Sequence, residues 1–195
     1  MEKLRLGVLG SGKGSNYRAI QEAILHGGLA AETRVVISDV EDAGILGAAR
    51  RYAVRAEYVP PGRFRTKLEP AAEERVVELL KAADVELVVL AGYMRMIKEP
   101  LLAAFPGRII NIHPSLLPAF PGLEAWKQAL AAGAAETGCT VHYVDRGMDT
   151  GPIIAQRRVP VLAGDTPETL HARIQVAEHE VYPEVVRKIA ASLTP

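Results

Sequence analysis

The sequence predicts an α/β domain built on a mostly parallel, twisted sheet covered by helices. Two observations carry this prediction. Short apolar runs rich in Val, Ile and Leu, bounded by Gly, Pro or polar residues, recur along the chain as strands buried on both faces should. Between them lie longer segments with apolar residues at helical spacing, and alternation of the two kinds implies parallel strands joined by crossover helices.

The first strand is LRLGVL (4–9), and NYRAIQEAIL (16–25) has helical spacing. RVVIS (34–38) and AEYV (56–59) are the next strands. AAEERVVELLKAA (71–83) follows as a helix with Val76, Val77, Leu79 and Leu80 on one side, then the strand VELVVLAG (85–92). GRIINI (107–112) precedes a helix around EAWKQALAAG (124–133). GCTVHYV (138–144) and PIIAQRRVPV (152–161) have no helix between them and read as a hairpin turning through DRGMDTG (145–151), before a closing helix from about Pro167.

The 195 residues suffice for one sizeable core, read as a single domain over 1–195. Lys plus Arg equals Asp plus Glu at 23 each, so no basic stripe proposes a nucleic acid partner. The lone cysteine, Cys139, closes no intramolecular disulfide and reads as a small buried strand residue. MEKLRLGVLGSG has too short an apolar part for a signal peptide or membrane anchor, so a soluble cytoplasmic protein is expected.

GVLGSGKGSNYRAI (7–20) raises the first chemical question. Its glycines lead from strand to helix like a phosphate cradle, and the spacing from Gly7 matches most of a P-loop. The position that should carry a magnesium-binding hydroxyl is Gly14, however, and Gly10, Gly12 and Gly14 are spaced wrongly for a dinucleotide fingerprint. What remains is an anion site in which glycines admit close backbone approach and a helix offers free N–H groups.

The second question is NIHPSLLPAFPG (111–122). Asn111 and His113 alternate across Ile112, so both side chains leave the same face of a strand, and three prolines then forbid a regular helix. His113 is either a structural histidine or an acid–base group. Asp145 and Asp149, in the glycine-bearing loop, read either as turn residues or as a carboxylate that holds the histidine for proton transfer. The histidines and Cys139 have no metal-ligand spacing, so no metal is expected. The rule that ligands lie beyond the carboxyl ends of parallel strands collects loops 10–16, 92–97, 111–123 and 145–151 at one sheet edge.

Taken in order, GSGKGSN, LAGYMRMI, NIHPSLLPAFPG, HYVDRGMDTGPI and EHEVYP closely resemble the phosphoribosylglycinamide formyltransferase family over essentially the whole chain. The resemblance implies a Rossmann-like three-layer fold with about seven strands and helices on both faces. It also implies transfer of the formyl group of 10-formyltetrahydrofolate to the amine of glycinamide ribonucleotide, in purine biosynthesis, without metal. On the family's motif, Asn111, His113 and Asp149 are catalytic. Gly12, Lys13, Gly14, Ser15 and Asn16 cradle the ribonucleotide phosphate, Pro114 lies near the amine, and Glu178 meets the ribose hydroxyls. The folate lies along Met94, Arg95, Met96 and Ile97 and along His142, Val144, Asp145 and Asp149, with Asn111 beside it; Arg63 or Arg65 meets its glutamate tail, Arg65 being the assignment made. Read without the family, Glu178 is a solvated helix carboxylate. The small-molecule substrates are the expected partners of a monomer or homodimer. Methionyl-tRNA formyltransferase and formyltetrahydrofolate deformylase share the catalytic motifs, but each carries a further domain for which this sequence leaves no segment.

Overall fold

The computed structural model describes residues 3–193; Met1–Glu2 and Thr194–Pro195, at the ends of the expected 1–195 domain, lie outside the described residues. Seven strands form one sheet: β1 (Leu4–Leu9), β2 (Ala31–Ser38), β3 (Arg55–Tyr58), β4 (Leu87–Leu90), β5 (Ile109–His113), β6 (Glu136–Tyr143) and β7 (Ile153–Pro160). Their spatial order is β3-β2-β1-β4-β5-β6-β7. The first five run parallel; β6 pairs antiparallel with both β5 and β7, so the expected hairpin is present and the reversal begins one strand earlier than it. The order turns back between β1 and β4, the point at which loops after adjacent strands diverge and leave a crevice.

The helices are α1 (Ser15–Leu25), α2 (Gly44–Arg51), α3 (Pro70–Ala82), α4 (Glu99–Ala104), α5 (Ala125–Ala131) and α6 (Pro167–Leu193). Period-2 alternation divides the strand residues between two cores. Leu6, Val8, Val36, Val89, Ile110, Ile112 and Val141 pack with α1, α2 and α6 on one face. Leu9, Val35, Ile37, Val88, Leu90 and Ile109 pack with α3 and α4 on the other. No β6 or β7 residue joins this second core, because α3 and α4 do not reach that far. The side chains of β5 and β6 that emerge there are Asn111, His113, Thr140 and His142.

Two local devices set the strand ends. Gly7 lies mid-strand, where a Cβ would collide with Leu80 of α3; this glycine serves helix packing and is not part of a phosphate loop. Where the β4–β5 ladder ends at Leu90 and Asn111, the fully buried Tyr182 of α6 shares its hydroxyl proton between Leu90 O (2.8 Å) and Ile110 O (3.2 Å). Burial holds that phenol well above its ordinary pKa, so it remains a donor.

Tyr182→Phe keeps the ring and leaves two buried carbonyls without their donor. The expected cost is about 2 kcal/mol, or roughly 4–8 °C in Tm for a chain of this size, read by thermal unfolding; an unchanged Tm would show that the hydroxyl is not needed there.

Candidate active site

Four side chains converge where the α3–α4 layer runs out. Asn111 and His142 lie directly opposite each other in the antiparallel β5–β6 pair, and His113 follows Asn111 by two residues, so all three stand on one face. His142 is 2% exposed and His113 5%. The His142 ring directs Nδ1 to Tyr143 O (2.9 Å); a carbonyl only accepts, so Nδ1 carries a hydrogen, and in the tautomer with that hydrogen alone Nε2 accepts from Asn111 Nδ2 (3.3 Å). This leaves the second N–H of the Asn111 amide for a ligand.

Asp149 reaches the same face by a route the strand-end rule did not describe. The 144–151 loop leaves β6 beside the beginning of β5, where Val144 N donates to Ile109 O (2.9 Å), and then folds back over the sheet face. Asp149 Oδ2 lies 3.4 Å from His113 Nδ1 and Asp149 Oδ1 lies 3.7 Å from His142 Nε2. Asp149 Oδ2 also accepts from Gly122 N (2.9 Å), so the carboxylate ties the two loops together as well as facing two imidazoles. On its other side, His113 Nε2 donates to Phe120 O (2.9 Å). A ring with hydrogens on both nitrogens therefore finds an acceptor for each. Asp149 holds this place with φ 56°, a left-handed conformation that aspartate tolerates better than most residues.

The 114–121 loop is laid across the polar face of β6 by contacts that sequence patterns do not reveal. Thr140 Oγ1 donates to Ser115 O (2.7 Å) and accepts from Leu117 N (3.0 Å). Gln156 Nε2 donates to Leu117 O and to Thr140 Oγ1, each at 2.9 Å. Ser115 Oγ closes the loop on Ala119 O (2.5 Å), and Gly138 leaves room for Leu116. Pro114 is partly exposed beside His113.

At the switch point, Gly10 packs where a Cβ would meet Ala91 O at 2.7 Å, and Gly14, at φ 75°, where one would meet Ile45 at 2.8 Å. Gly12 faces open space and is exposed, as is Lys13. Gly14 is the N-cap of α1 with no side-chain cap, so the helix start keeps donors for an anion. Ser15 is partly exposed. Arg18, one turn into α1, bends back to Lys13 O (2.8 Å) and adds a cation that the motif does not mark.

Glu178 is 5% exposed, which overturns the solvated-carboxylate reading. It accepts from Asn16 Nδ2 (2.9 Å), while Asn16 Oδ1 is buried without a partner. Burial raises the Glu178 pKa to about 7, against only the Asn16 hydrogen bond.

The remaining expected residues fall into three situations. Met94 is exposed, Met96 partly so, and Ile97 is buried in the α3–α4 core. Arg95 turns its guanidinium inward to Asp39, Phe64 O and Arg65 O, so it is not free for a ligand carboxylate. Arg63 is paired with Glu69 (3.1 Å), whereas the exposed Arg65 side chain has no ion pair among the described residues. Val144 is partly buried, and Asp145 Oδ1 is occupied by Gly147 N (2.9 Å) and Thr150 Oγ1 (2.8 Å), as a turn residue should be. Cys139 is fully buried and its thiol is pushed up to about 12, mainly by burial. Among the described residues no group of His, Cys, Asp and Glu side chains is arranged to hold a metal ion, and no helix is long and apolar enough to cross a membrane.

Comparison with known proteins joins this geometry to a family. Residues 4–186 match the formyl transferase family. The chain is 43% identical over 185 residues to phosphoribosylglycinamide formyltransferase of Bacillus subtilis, covering 95% of this chain and 94% of that protein. It is 50% identical over 192 residues to the trifunctional purine biosynthetic protein adenosine-3 of Drosophila pseudoobscura, covering 96% of this chain but only 14% of that much longer protein. The crystal structure of glycinamide ribonucleotide transformylase 1 from Symbiobacterium toebii superposes with a TM-score of 0.94 at 50% identity, covering 98% of this chain and 89% of that one. The match spans the glycine loop, the polar face of β5 and β6 and the buried glutamate of α6, and by it the chain belongs to the formyl transferase family.

Proposed function

We propose that this chain transfers the formyl group of 10-formyltetrahydrofolate to the amino group of glycinamide ribonucleotide, yielding the formylated ribonucleotide and tetrahydrofolate. The observation that carries the reading is the placement of Asn111, His113 and Asp149 on one sheet face, beside an anion-ready helix start. The relative of 43% identity is named for this formyl transfer and that of 50% identity for purine biosynthesis.

The donor set fits a formyl folate. Asn111 and His113 offer N–H groups to a carbonyl oxygen, and exposed Met94 and Met148, on the loops after β4 and β6, suit a flat heteroaromatic group. The cosubstrate supplies the electrophilic formyl carbon. Asn111 Nδ2, oriented by His142 Nε2, donates to the carbonyl oxygen as negative charge develops there. Protonated His113, with Nε2–H kept on Phe120 O, shares its Nδ1–H, 3.4 Å from Asp149 Oδ2, with the same carbonyl oxygen. Asp149 supports the charge on His113 and takes part in moving the amine proton to the folate nitrogen. Phe120 O keeps the His113 ring plane fixed while it does so.

Gly12–Asn16 and the start of α1 receive the monophosphate, which needs no magnesium-binding hydroxyl, and Lys13 and Arg18 add positive charge nearby. Glu178 accepts the ribose hydroxyls, whose arrival supplies the partners that a desolvated carboxylate lacks. Pro114 borders the amine. Arg65 is the guanidinium available for the folate glutamate tail.

His113→Ala should lower turnover by about 10³-fold while leaving ribonucleotide affinity nearly unchanged, measured by formyl-folate consumption and by titration calorimetry; near-normal turnover would remove His113 from the chemistry. Glu178 yields a pH prediction whose sign is the reverse of a paired carboxylate. Its folded pKa lies above the unfolded value, so the folded state binds the extra proton and stability falls as pH rises from about 4.5 to about 7. Glu178→Gln should therefore raise stability at pH 8, by up to about 3 kcal/mol, and leave it unchanged at pH 4. The same variant should bind the ribonucleotide more weakly at pH 8, and affinity of the unaltered protein should rise between pH 6 and 8. Equal stability at both pH values would mean that Glu178 is not desolvated.

A further inference from the structure

Asp39 follows β2, outside every motif of the family resemblance, yet it is the point at which four loops meet. Its side chain is 2% exposed. Oδ1 accepts from Ser11 Oγ (2.5 Å), one residue before Gly12. Oδ2 accepts from Arg95 Nε (2.6 Å). Ser11 Oγ in turn accepts from Met94 N (2.9 Å), and Ser11 N donates to Gly92 O (3.0 Å). The Arg95 guanidinium continues to Phe64 O (2.8 Å) and Arg65 O (2.5 Å), in the loop after β3. The loops after β1, β2, β3 and β4, on both sides of the switch point, are thus joined through one carboxylate.

We propose that Asp39 is a positioning residue that couples the phosphate loop to the folate-side loop, so that both half-sites are set together. The physical basis is desolvation. A buried carboxylate is stable only with its oxygens paired, so withdrawal of Ser11 or Arg95 leaves charge uncompensated, and neither loop shifts without the other. Ser11 is adjacent to the exposed Gly12, and Met94 and Arg95 belong to the segment assigned to the folate, so a displacement at one end is delivered to the other within two residues. This inference rests on the functional reading above.

The test is a change on one side read by the ligand of the other. Arg95→Met, on the folate side, should weaken glycinamide ribonucleotide binding about threefold to tenfold in titration calorimetry, although Arg95 does not belong to the phosphate cradle. Ser11→Ala should weaken tetrahydrofolate binding to a similar degree. Asp39→Asn should weaken both, and the Asp39→Asn/Arg95→Met pair should bind the ribonucleotide no more weakly than the poorer single variant. All comparisons are made below the melting temperature of each variant. A lowered Tm with unchanged cross-side affinities, or additive losses in the pair, would overturn the coupling and leave a purely structural ion pair. Failure of the unaltered protein to bind either ligand would overturn the functional reading, and this inference with it.

Discussion

The structure depends on the unequal covering of a sheet that would otherwise bury both faces. Parallel strands joined by crossover helices need apolar side chains on both sides, and β1 and β4 have them. On the α3–α4 side the helical layer ends before β6. A strand extending past that layer can replace its apolar residues with polar ones on that face alone, which is the pattern of Ile110 and Ile112 against Asn111 and His113. Asn111 and His113 are thereby held on a rigid ladder, with only Asp149 brought in on a loop, which suits chemistry that requires donors fixed before charge develops.

Once helices are absent, loops must exclude water from that face, and loops carry backbone groups that need partners. The 114–121 segment solves this with Thr140 and Gln156, which project from β6 and β7 to the backbone of Ser115 and Leu117. Asp149 performs a related service by accepting from Gly122 N while facing His113. The same hydrogen bonds that satisfy the cover therefore set the ring and amide orientations of the site. Asp149 thus accepts a backbone N–H of the neighbouring loop and faces the histidine at once.

Strands β1, β2, β4, β5 and β6 were legible in the sequence because buried strands announce themselves locally as apolar runs, whereas the largely exposed β3 and β7 were legible only from short apolar stretches bounded by polar residues. Asn111 and His113 were legible as a pair because alternation across one residue fixes a shared face. Helices α2 and α4 were not singled out: one carries Gly44 and Gly47 within eight residues and the other has only six residues. The roles of Thr140, Gln156 and Asp39 depend on which residues arrive from elsewhere, and no local spacing records that. Glu178 shows the limit most plainly, since helix position alone makes a glutamate a surface residue, and only the packing of α6 against α1 buries it.

Three carboxylic acids are buried among the described residues, and their unequal satisfaction separates structural from ligand-binding roles. Asp39 has both oxygens paired, to Ser11 and Arg95. Glu73 is spent on the start of α4, where Lys98 N donates to it (2.7 Å) and Leu101 N also contributes. Glu178 has only Asn16, whose own Oδ1 is left without a partner. A fold that needed Glu178 for stability alone would be better served by an apolar residue, because one hydrogen bond does not offset the desolvation of a carboxylate. The cost is explained if the missing partners arrive with a ligand rich in hydroxyl donors. By that reasoning the unmet hydrogen-bonding capacity of Glu178 supports its proposed ribose role independently of the motif around it, whereas Asp39 and Glu73, each engaged by two donors, belong to the frame.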